Sequence, residues 1–566
     1  MTSGDHPATG PGAPAVEIDA GIDDAELARP RRSAVLDSAH LGDIEGAFGR
    51  ISVGDTEHPH TWKTRLLTLL AIVGPGIIVM VGDNDAGGVA TYAQAGQNYG
   101  YSLLWVLLLL VPVLIVNQEM VVRLGAVTGV GHARLINERF GRGWGWFSVG
   151  DLFLLNFLTI VTEFIGITLA AEYIGFSKYV VVPISAVALV AIMASGSFRR
   201  WERAMFVFIA ITLLQIPMLL MSHPQWGHAA KSFVVPSISG GISSDAVLLI
   251  IAIVGTTVAP WQLFFQQSNV VDKRITPRFM AYERADTVLG AFVVIVGAAA
   301  LLMTGDWAAH STNSVGNFID AGAIAHLLGQ NNSTLGSFFA IVLMDASIIG
   351  AAAVTLATSY AFGDVFGLKH SLHRGFADAK QFYLSYTAMV ALAAAVVLIP
   401  GAPLGLITTA VQALAGLLLP SASVFLLLLC NDREVLGPWV NRRWLNWVAG
   451  LIVGTLLLLS GILMATTLFP HINVVTVAGY LALALVILGV GAVPVLRWMA
   501  LRQPAPPAPK LPERGVDRNT WRMPPLTLLE PVVWSPFTRL GMIALRSYLV
   551  LGALLLVVKA IQVGRG

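Results

Sequence analysis

Two carboxylates interrupt an apolar stretch near the N-terminus. Asp83 and Asp85 lie within residues 66–95, and glycines accompany them in the motifs GPG at 74–76 and GDNDAGG at 82–88. Glycine destabilises a helix, and inside a membrane the released backbone groups must bind protein or ligand. Carboxylates within a membrane span are costly and mark ion or substrate paths. The segment therefore predicts a discontinuous helix whose unwound middle offers oxygen ligands to a cation.

A second interruption occurs in the apolar stretch 245–270. Pro260 follows Gly255, Thr256 and Thr257 in this stretch. Proline lacks an N–H and clashes with the preceding helical turn, so it kinks or breaks the helix and frees carbonyl oxygens. Two broken spans that are the first and the sixth in the chain, five spans apart, are typical of a five-plus-five inverted repeat, with the site between the two breaks.

The composition is that of a membrane protein, whose spanning helices must position these residues. Hydrophobic residues make up 55% of the 566 residues and charged residues only 12%, against about 25% in soluble domains. A span needs about 20 apolar residues. We place twelve spans at 67–92, 101–122, 147–174, 179–196, 204–222, 245–270, 285–304, 336–362, 381–400, 403–430, 445–468 and 472–497. A thirteenth candidate at 539–561 is interrupted by Arg546.

The distribution of lysine and arginine predicts a cytoplasmic N-terminus in the plasma (inner) membrane. Up to the eleventh span, one face carries only Lys178 and Lys231, and the long loop 305–334 on that face has neither lysine nor arginine. The loops of the other face carry Arg123, Arg134, Arg139, Arg142, Arg199, Arg200, Arg203, Lys273, Arg274, Arg278, Arg284, Lys369, Arg374, Lys380, Arg433, Arg442 and Arg443.

The chain divides into five predicted parts. Residues 1–60 have no apolar signal segment and are rich in Gly, Pro, Asp and Ala, which predicts a mostly disordered cytoplasmic tail. A short amphipathic turn is expected near its end, at 42–51. A transport core (61–430) and two further spans (431–498) follow, then a cytoplasmic linker (499–538) and the candidate last span (539–566).

Five motifs resemble those of the NRAMP family of divalent-metal transporters. Residues 74–76 (GPG) and 85–88 (DAGG) resemble the GPG…DPGN of the family's first span, and 123–129 (RLGAVTG) resembles the motif after its second. Residues 163–166 (EFIG) resemble EVIG of the third span, and 258–261 (VAPW) replaces VMPH of the sixth. The resemblance covers spans 1–11 and implies a LeuT-type all-α fold that moves manganese, iron and related ions, usually with protons.

Several family residues are replaced. The metal-binding asparagine is Gly88 and the metal-binding methionine is Ala259. The two histidines of the sixth span are Trp261 and Gln266, and an aspartate of the third span is Ile160. These changes remove one oxygen ligand, the soft ligand, and groups that can carry protons. The pattern resembles the NRAMP-related magnesium-transporter branch, in which the methionine is also absent and proton coupling is in question.

These residues predict a site for a hard cation, Mg²⁺ or Mn²⁺. Carboxylates, carbonyls and water suit such ions, while a thioether favours softer metals, and the small Gly88 and Ala259 are expected to enlarge the cavity for a partly hydrated ion. Asp85 is the expected anionic ligand. The further expected contributors are the side chains of Asp83, Asn84, Thr256 and Gln412 and the carbonyls of Ala86 and Thr257.

Simpler interpretations remain open for most of these residues. Asp83 is equally well explained as a helix cap, and Asn84 as a turn residue. The two threonines can bond back to their own helix. Glu163 is either a remnant of a proton relay or part of a helix–helix hydrogen bond. Trp261 is either a gate or a packing residue; we place Gln266 in the same gating or relay group.

The sequence favours a transporter over two other classes of protein. A sodium-coupled amino-acid carrier of the same fold would hold a substrate carboxylate at the half-helix N-terminus, where Asp85 would repel it. The chain has no nucleophile elbow, P-loop or zinc motif, so we do not expect an enzyme. We expect no cofactor and no nucleic-acid partner: the partners are a divalent cation, as substrate, and the lipid bilayer. The sequence leaves the oligomeric state open.

Overall fold

The protein is an assembly of membrane helices with one small β-hairpin. The computed structural model describes residues 38–54, 61–401, 404–469, 472–502 and 518–529, with scattered residues after 530. Within them the helices are α1 (Trp62–Ile72), α2 (Pro75–Val81), α3 (Ala86–Tyr99), α4 (Leu104–Thr128), α5 (His132–Phe140), α6 (Arg142–Ile174), α7 (Lys178–Met193), α8 (Phe198–Thr212), α9 (Gln215–Met221), α10 (Trp226–Val234), α11 (Ser244–Thr257), α12 (Pro260–Asp272), α13 (Met280–Thr312), α14 (Ala321–Asn331), α15 (Ser333–Phe366), α16 (Lys380–Val397), α17 (Leu404–Cys430), α18 (Arg433–Leu436), α19 (Arg443–Leu468) and α20 (Val474–Arg502).

Helices lie at all of the first twelve predicted spans. By length and composition, eight helical segments of the described chain can cross a membrane, or ten when each of two bent helix pairs counts as one span. Helix α7 (Lys178–Met193) and the segment Val474–Ile487 of α20 are also apolar, but they are shorter than these eight. The candidate span at 539–561, the tail before residue 38 and most of the linker lie outside the described residues.

The first predicted span is interrupted twice rather than once. Helices α1 and α2 meet at an angle of 52°. Gly74, between them, has a φ of 157°, which glycine tolerates and other residues rarely adopt. Pro75 then begins α2, where its missing N–H has no helical partner to lose. The sequence-based prediction expected a single break in this span. It did not include this bend, where Gly74 and Pro75 end one helix and start the next.

The second interruption in this span is the expected one at the carboxylates. Helix α2 ends at Val81 with Gly82 as its C-cap, and α3 begins after Asp85, its N-cap. Asp83 and Asn84 lie in the break between the two helices. The sixth predicted span breaks in the same way: α11 ends at Thr257, and α12 begins at Pro260.

The two breaks are enclosed by long helices. Helices α2 and α3 pack against α13, and α12 packs between α4 and α15. Helix α6 packs along α15 and also contacts α3. Most of the buried apolar side chains around the breaks belong to one apolar core that runs through these helices. The fold therefore holds both interruptions in the interior, where freed polar groups bind protein or ligand rather than lipid.

At residues 42–51, where a short amphipathic turn was expected, the chain forms a β-hairpin packed on the helices. Ile44–Glu45 pairs antiparallel with Arg50–Ile51, and Ile44 and Ala47 are buried. The Ala47 N–H donates to Glu202 Oε2 of α8 at 2.5 Å. This segment is therefore held by specific contacts with the membrane helices.

Candidate functional site

Asp85 and Glu163 lie together at the start of α3. The Asp85 carboxylate caps this helix, and its Oδ1 accepts the Gly88 N–H at 2.7 Å. Glu163, from α6, accepts the Ala86 N–H at 3.1 Å through Oε2. A Cβ added at Gly350 of α15 would lie 2.7 Å from the Glu163 carboxyl carbon and 2.9 Å from Asp85 Cβ. The glycine therefore allows α15 to approach both carboxylates closely.

Asp83 is bound to the second broken helix. Its Oδ1 accepts a hydrogen bond from the Gln262 amide of α12, and Gln262 also donates to the Thr257 carbonyl at 3.3 Å. Gln118 of α4 donates to the Gln262 oxygen at 3.0 Å. The other Asp83 oxygen, Oδ2, is buried without a hydrogen bond. The Gln262 amide thus links the two breaks, and one of the two Asp83 carboxylate oxygens remains without a hydrogen bond.

The two threonines before the second break differ in their bonding. Thr257 Oγ1 donates to the Ile253 carbonyl at 2.6 Å and lies 2.7 Å from the Tyr92 hydroxyl of α3. Thr256 is 3% exposed, and its hydroxyl has no hydrogen-bond partner. A buried hydroxyl without a partner is unfavourable unless a ligand satisfies it. Of the two, Thr256 is the better candidate for a side-chain ligand.

Gly88 and Ala259, which replace the two metal-binding side chains of the NRAMP motifs, are both buried. A Cβ at Gly88 would lie 2.9 Å from the Asp83 carbonyl oxygen and 3.4 Å from the Tyr92 ring. The cavity space that Gly88 was expected to provide is therefore filled, in this conformation, by the backbone of the helix break and by the Tyr92 ring. Ala259 is the N-cap of α12, with extended backbone, and is 7% exposed.

The other predicted residues with described side chains are engaged with other partners. The Asn84 amide donates to the Val294 carbonyl of α13 at 3.1 Å. Trp261 is buried against Phe265 and lies beside Gly82. The Gln266 amide donates to Thr287 of α13 at 3.3 Å. Gln412 belongs to α17, but its side chain lies outside the described part of the structure.

Sequence reasoning did not select Gln262 or Tyr92 as functional. Both connect α3 or its preceding break with the second broken helix. A signal was available, because Gln118 and Gln262 are amides in otherwise apolar spans, and buried amides require partners. Their partners could not be inferred, since Gln262 and Asp83 are 179 residues apart in the chain.

The arrangement offers oxygen atoms and negative charge to a cation. Residues 75–99 and 244–272 contain no lysine, arginine or histidine, so no basic side chain of the two broken spans neutralises the carboxylates. Among the described residues, no group of three or more His, Cys, Asp or Glu could hold a metal ion. A cation here would therefore depend on amide, hydroxyl and carbonyl oxygens beside one or two carboxylates, a set that suits hard ions.

Comparison with known proteins places this architecture in one family. The family model described as natural resistance-associated macrophage protein-like (Nramp) matches residues 76–466. A divalent metal cation transporter MntH of Lacticaseibacillus casei is 27% identical over 444 residues, covering 73% of this chain and 93% of that protein. Another from Ralstonia nicotianae is 29% identical over 416 residues, covering 69% and 88%.

Solved structures share the fold. The crystal structure of the Eremococcus coleocola manganese transporter in complex with an aromatic bis-isothiourea compound has a TM-score of 0.58 at 21% identity, covering 79% of this chain and 99% of that chain. The predicted fold class, an all-α membrane protein of the LeuT type with broken helices in spans 1 and 6, is confirmed. Because the family model covers more than half of the sequence, the chain belongs to the Nramp family.

Proposed function

We propose that this protein moves a divalent metal cation across the membrane by alternating access, with Asp85 as the anionic ligand. The observation that carries the proposal is a buried carboxylate at a helix break with no basic residue in either broken span. The relatives named as divalent metal cation transporters support the same substrate class. Such a carboxylate is retained at this depth because it binds an ion.

The ligand chemistry favours a hard cation, Mg²⁺ or Mn²⁺. Asp85, Asp83 and Thr256 supply oxygens, and Ala259 supplies no thioether where the NRAMP motif has methionine. Magnesium keeps several waters and binds through one or two carboxylates, so it does not require a full cage of protein ligands. Glu163 supports the site by holding the first N–H of α3 and adding negative charge nearby.

Transport is proposed to be inward and independent of protons. An interior-negative potential favours an entering divalent ion by about 4.6 kcal/mol at 100 mV, twice the value for one charge. Trp261 and Gln266 replace the two histidines of the motif, so the sixth span has no group that titrates near neutral pH. The membrane potential alone can then drive accumulation.

A conventional proton-coupled carrier of Mn²⁺ or Fe²⁺ is the second candidate. It is favoured by the solved neighbour, which is described as a manganese transporter. Glu163 is the carboxylate that could carry a proton in this case, since its Oε1 is buried without a hydrogen bond.

Uptake into proteoliposomes separates the two candidates. Purified protein is reconstituted with an interior pH dye, and Mg²⁺ and Mn²⁺ uptake are compared at a fixed negative potential. Mg²⁺ uptake without acidification is the expected result. Acidification that accompanies uptake, with Mn²⁺ transported and Mg²⁺ not, would contradict the proton-independent proposal and support the second candidate.

A further inference from the structure

A small cavity, lined mostly by apolar side chains with a few polar groups among them, extends from the candidate site toward the predicted external loop. Its volume is about 40 Å³, enough for a few water molecules. Ala86, next to Asp85, lines one part of it, and Asp320 of the loop before α14 lines another. The remaining wall comes from α3, α6, α11, α15 and the first turns of α17. The cavity therefore connects the start of α3 with the side of the protein that carries the long loop without lysine or arginine.

The hydroxyl groups in this wall are oriented to accept rather than donate. Thr91, Thr162 and Thr408 line the cavity, and each donates its hydroxyl proton to a carbonyl of its own helix, at 2.8, 2.7 and 3.1 Å. A hydroxyl whose proton is used in this way keeps its oxygen lone pairs for another partner. Among the apolar side chains of the wall, these three hydroxyls thus offer oxygen lone pairs that attract a cation, and the Gln94 amide also lines the cavity.

Asp320 adds the negative charge. Among the described residues that line the cavity it is the one carboxylate, and none of them is Lys, Arg or His. Its Oδ1 accepts the Ala323 N–H at 2.7 Å as the N-cap of α14, which fixes the side chain at the cavity. The loop 305–334 contains no lysine or arginine, and of its two histidines His310 lies against Asp306 and His326 against Tyr173.

We propose that Asp320 and the hydroxyls of Thr91, Thr162 and Thr408 form an outer binding site for a hydrated divalent cation. The ion is held there before it reaches Asp85, and it exchanges part of its water shell for the wall oxygens. This inference rests on the proposed transport function and adds to it a capture step that raises the local ion concentration.

The test compares two single-charge variants in proteoliposomes. Asp320→Asn keeps the helix cap, because asparagine caps as well as aspartate, and removes only the charge. Asp306→Asn, near the same end of the protein but outside the cavity lining, is the matched control. We expect Asp320→Asn to raise the half-saturating Mg²⁺ concentration about tenfold at low salt, with an unchanged maximal rate, and the control to change it less than about twofold.

Added salt and the conservative variant Asp320→Glu test whether the charge of Asp320 causes the change in affinity. The difference between Asp320→Asn and wild type should shrink as ionic strength rises, and Asp320→Glu should recover most of the affinity. An Asp320→Asn uptake curve that matches wild type, or one that loses maximal rate at unchanged half-saturation, would overturn the proposal.

A binding measurement distinguishes this proposal from the transport function itself. Mn²⁺ serves as a spectroscopic probe in detergent, with Asp85→Asn removing the deep ligand. We expect weak Mn²⁺ binding to remain in Asp85→Asn and to disappear in Asp85→Asn/Asp320→Asn. Equal binding by both variants would overturn the outer site, even if uptake by wild type is established. Retained uptake by Asp85→Asn would instead overturn the proposed function.

Discussion

Two groups of buried charged residues in the described part of the protein differ in how completely they are partnered. The first, here called the Lys273 cluster, comprises Glu202, Lys273 and Asp286. The Lys273 ammonium donates to Glu202 Oε1 at 2.6 Å and to the carbonyls of Ile72 and Val73 at 2.7 and 3.0 Å. These three bonds use all three protons of the ammonium group. Asp286 accepts three backbone N–H groups from the start of α2, at 2.7–3.3 Å.

The second group is the candidate site, and it is incomplete. Asp83 Oδ2, Glu163 Oε1 and Thr256 Oγ1 are buried without hydrogen bonds. Both groups lie at bends or breaks of the first predicted span. The Lys273 ammonium neutralises charge in its own cluster, whereas no basic side chain of the two broken spans neutralises the candidate site. Unpartnered oxygens alone do not identify a site, because both carboxylate oxygens of Glu283, close to Lys273 and Asp286, are also buried without hydrogen bonds. The two groups therefore differ in whether a positive side chain compensates the buried carboxylates.

The largest expected effect is on stability, from breaking the complete cluster. Lys273→Met leaves the Glu202 charge buried without its cation, and we expect a loss of about 3–5 kcal/mol in the free energy of unfolding. Chemical unfolding in detergent measures it. The double variant Lys273→Met/Glu202→Leu should regain most of the loss, because it removes both charges. A single variant as stable as wild type would contradict the structural role.

The next effect is on transport, from the incomplete group. Asp85→Asn keeps the helix cap and removes the charge, so we expect folding to be retained and uptake to fall at least about 100-fold, or about 2.7 kcal/mol. Initial uptake rates measure transport, and the thermal midpoint checks folding. Appreciable uptake by the folded variant would contradict the assignment of Asp85.

A change in ion preference should follow from restoring the missing thioether. Ala259→Met places a soft sulfur at the start of α12, so we expect the ratio of Cd²⁺ to Mg²⁺ uptake to rise about tenfold. Ala259→Leu, of similar size but without sulfur, is the control. If both variants show the same metal series, Ala259 does not face the ion.

The smallest effect separates the two neighbouring threonines. Thr256→Val removes an unpartnered hydroxyl, and we expect the half-saturating cation concentration to rise about fivefold, equivalent to about 1 kcal/mol, with little change in stability. Thr257→Val removes a hydroxyl bonded to Tyr92 and should lower the thermal midpoint instead. The opposite pattern would show that Thr257 is the ligand.

The sequence was most informative where the signal is local. Glycines around Asp83 and Asp85, and proline at 260, determine nearby backbone geometry, so both breaks could be located without a structure. The apolar lengths located the helices for the same reason. The bend at Gly74 was not predicted, because the residues on both sides of it form one continuous apolar stretch in the sequence.

Side-chain partners could not be predicted, because they come from distant parts of the chain. Lys273 and Glu202 are 71 residues apart, and Tyr92 and Thr257 are 165 residues apart. Their pairing depends on how each helix is rotated in the packed bundle. The role of Gln262, and the hairpin contact between Ala47 and Glu202, therefore emerged only from the structure.

The most direct test of the account is to locate the ion. A crystal of the protein soaked in Mn²⁺ gives an anomalous signal from the metal alone. We predict a peak at the two helix breaks, within coordination distance of the Asp85 carboxylate, that is absent in Asp85→Asn. A peak at the Lys273 cluster, or one at the breaks that persists in Asp85→Asn, would contradict the claim that the incomplete group is completed by a divalent cation.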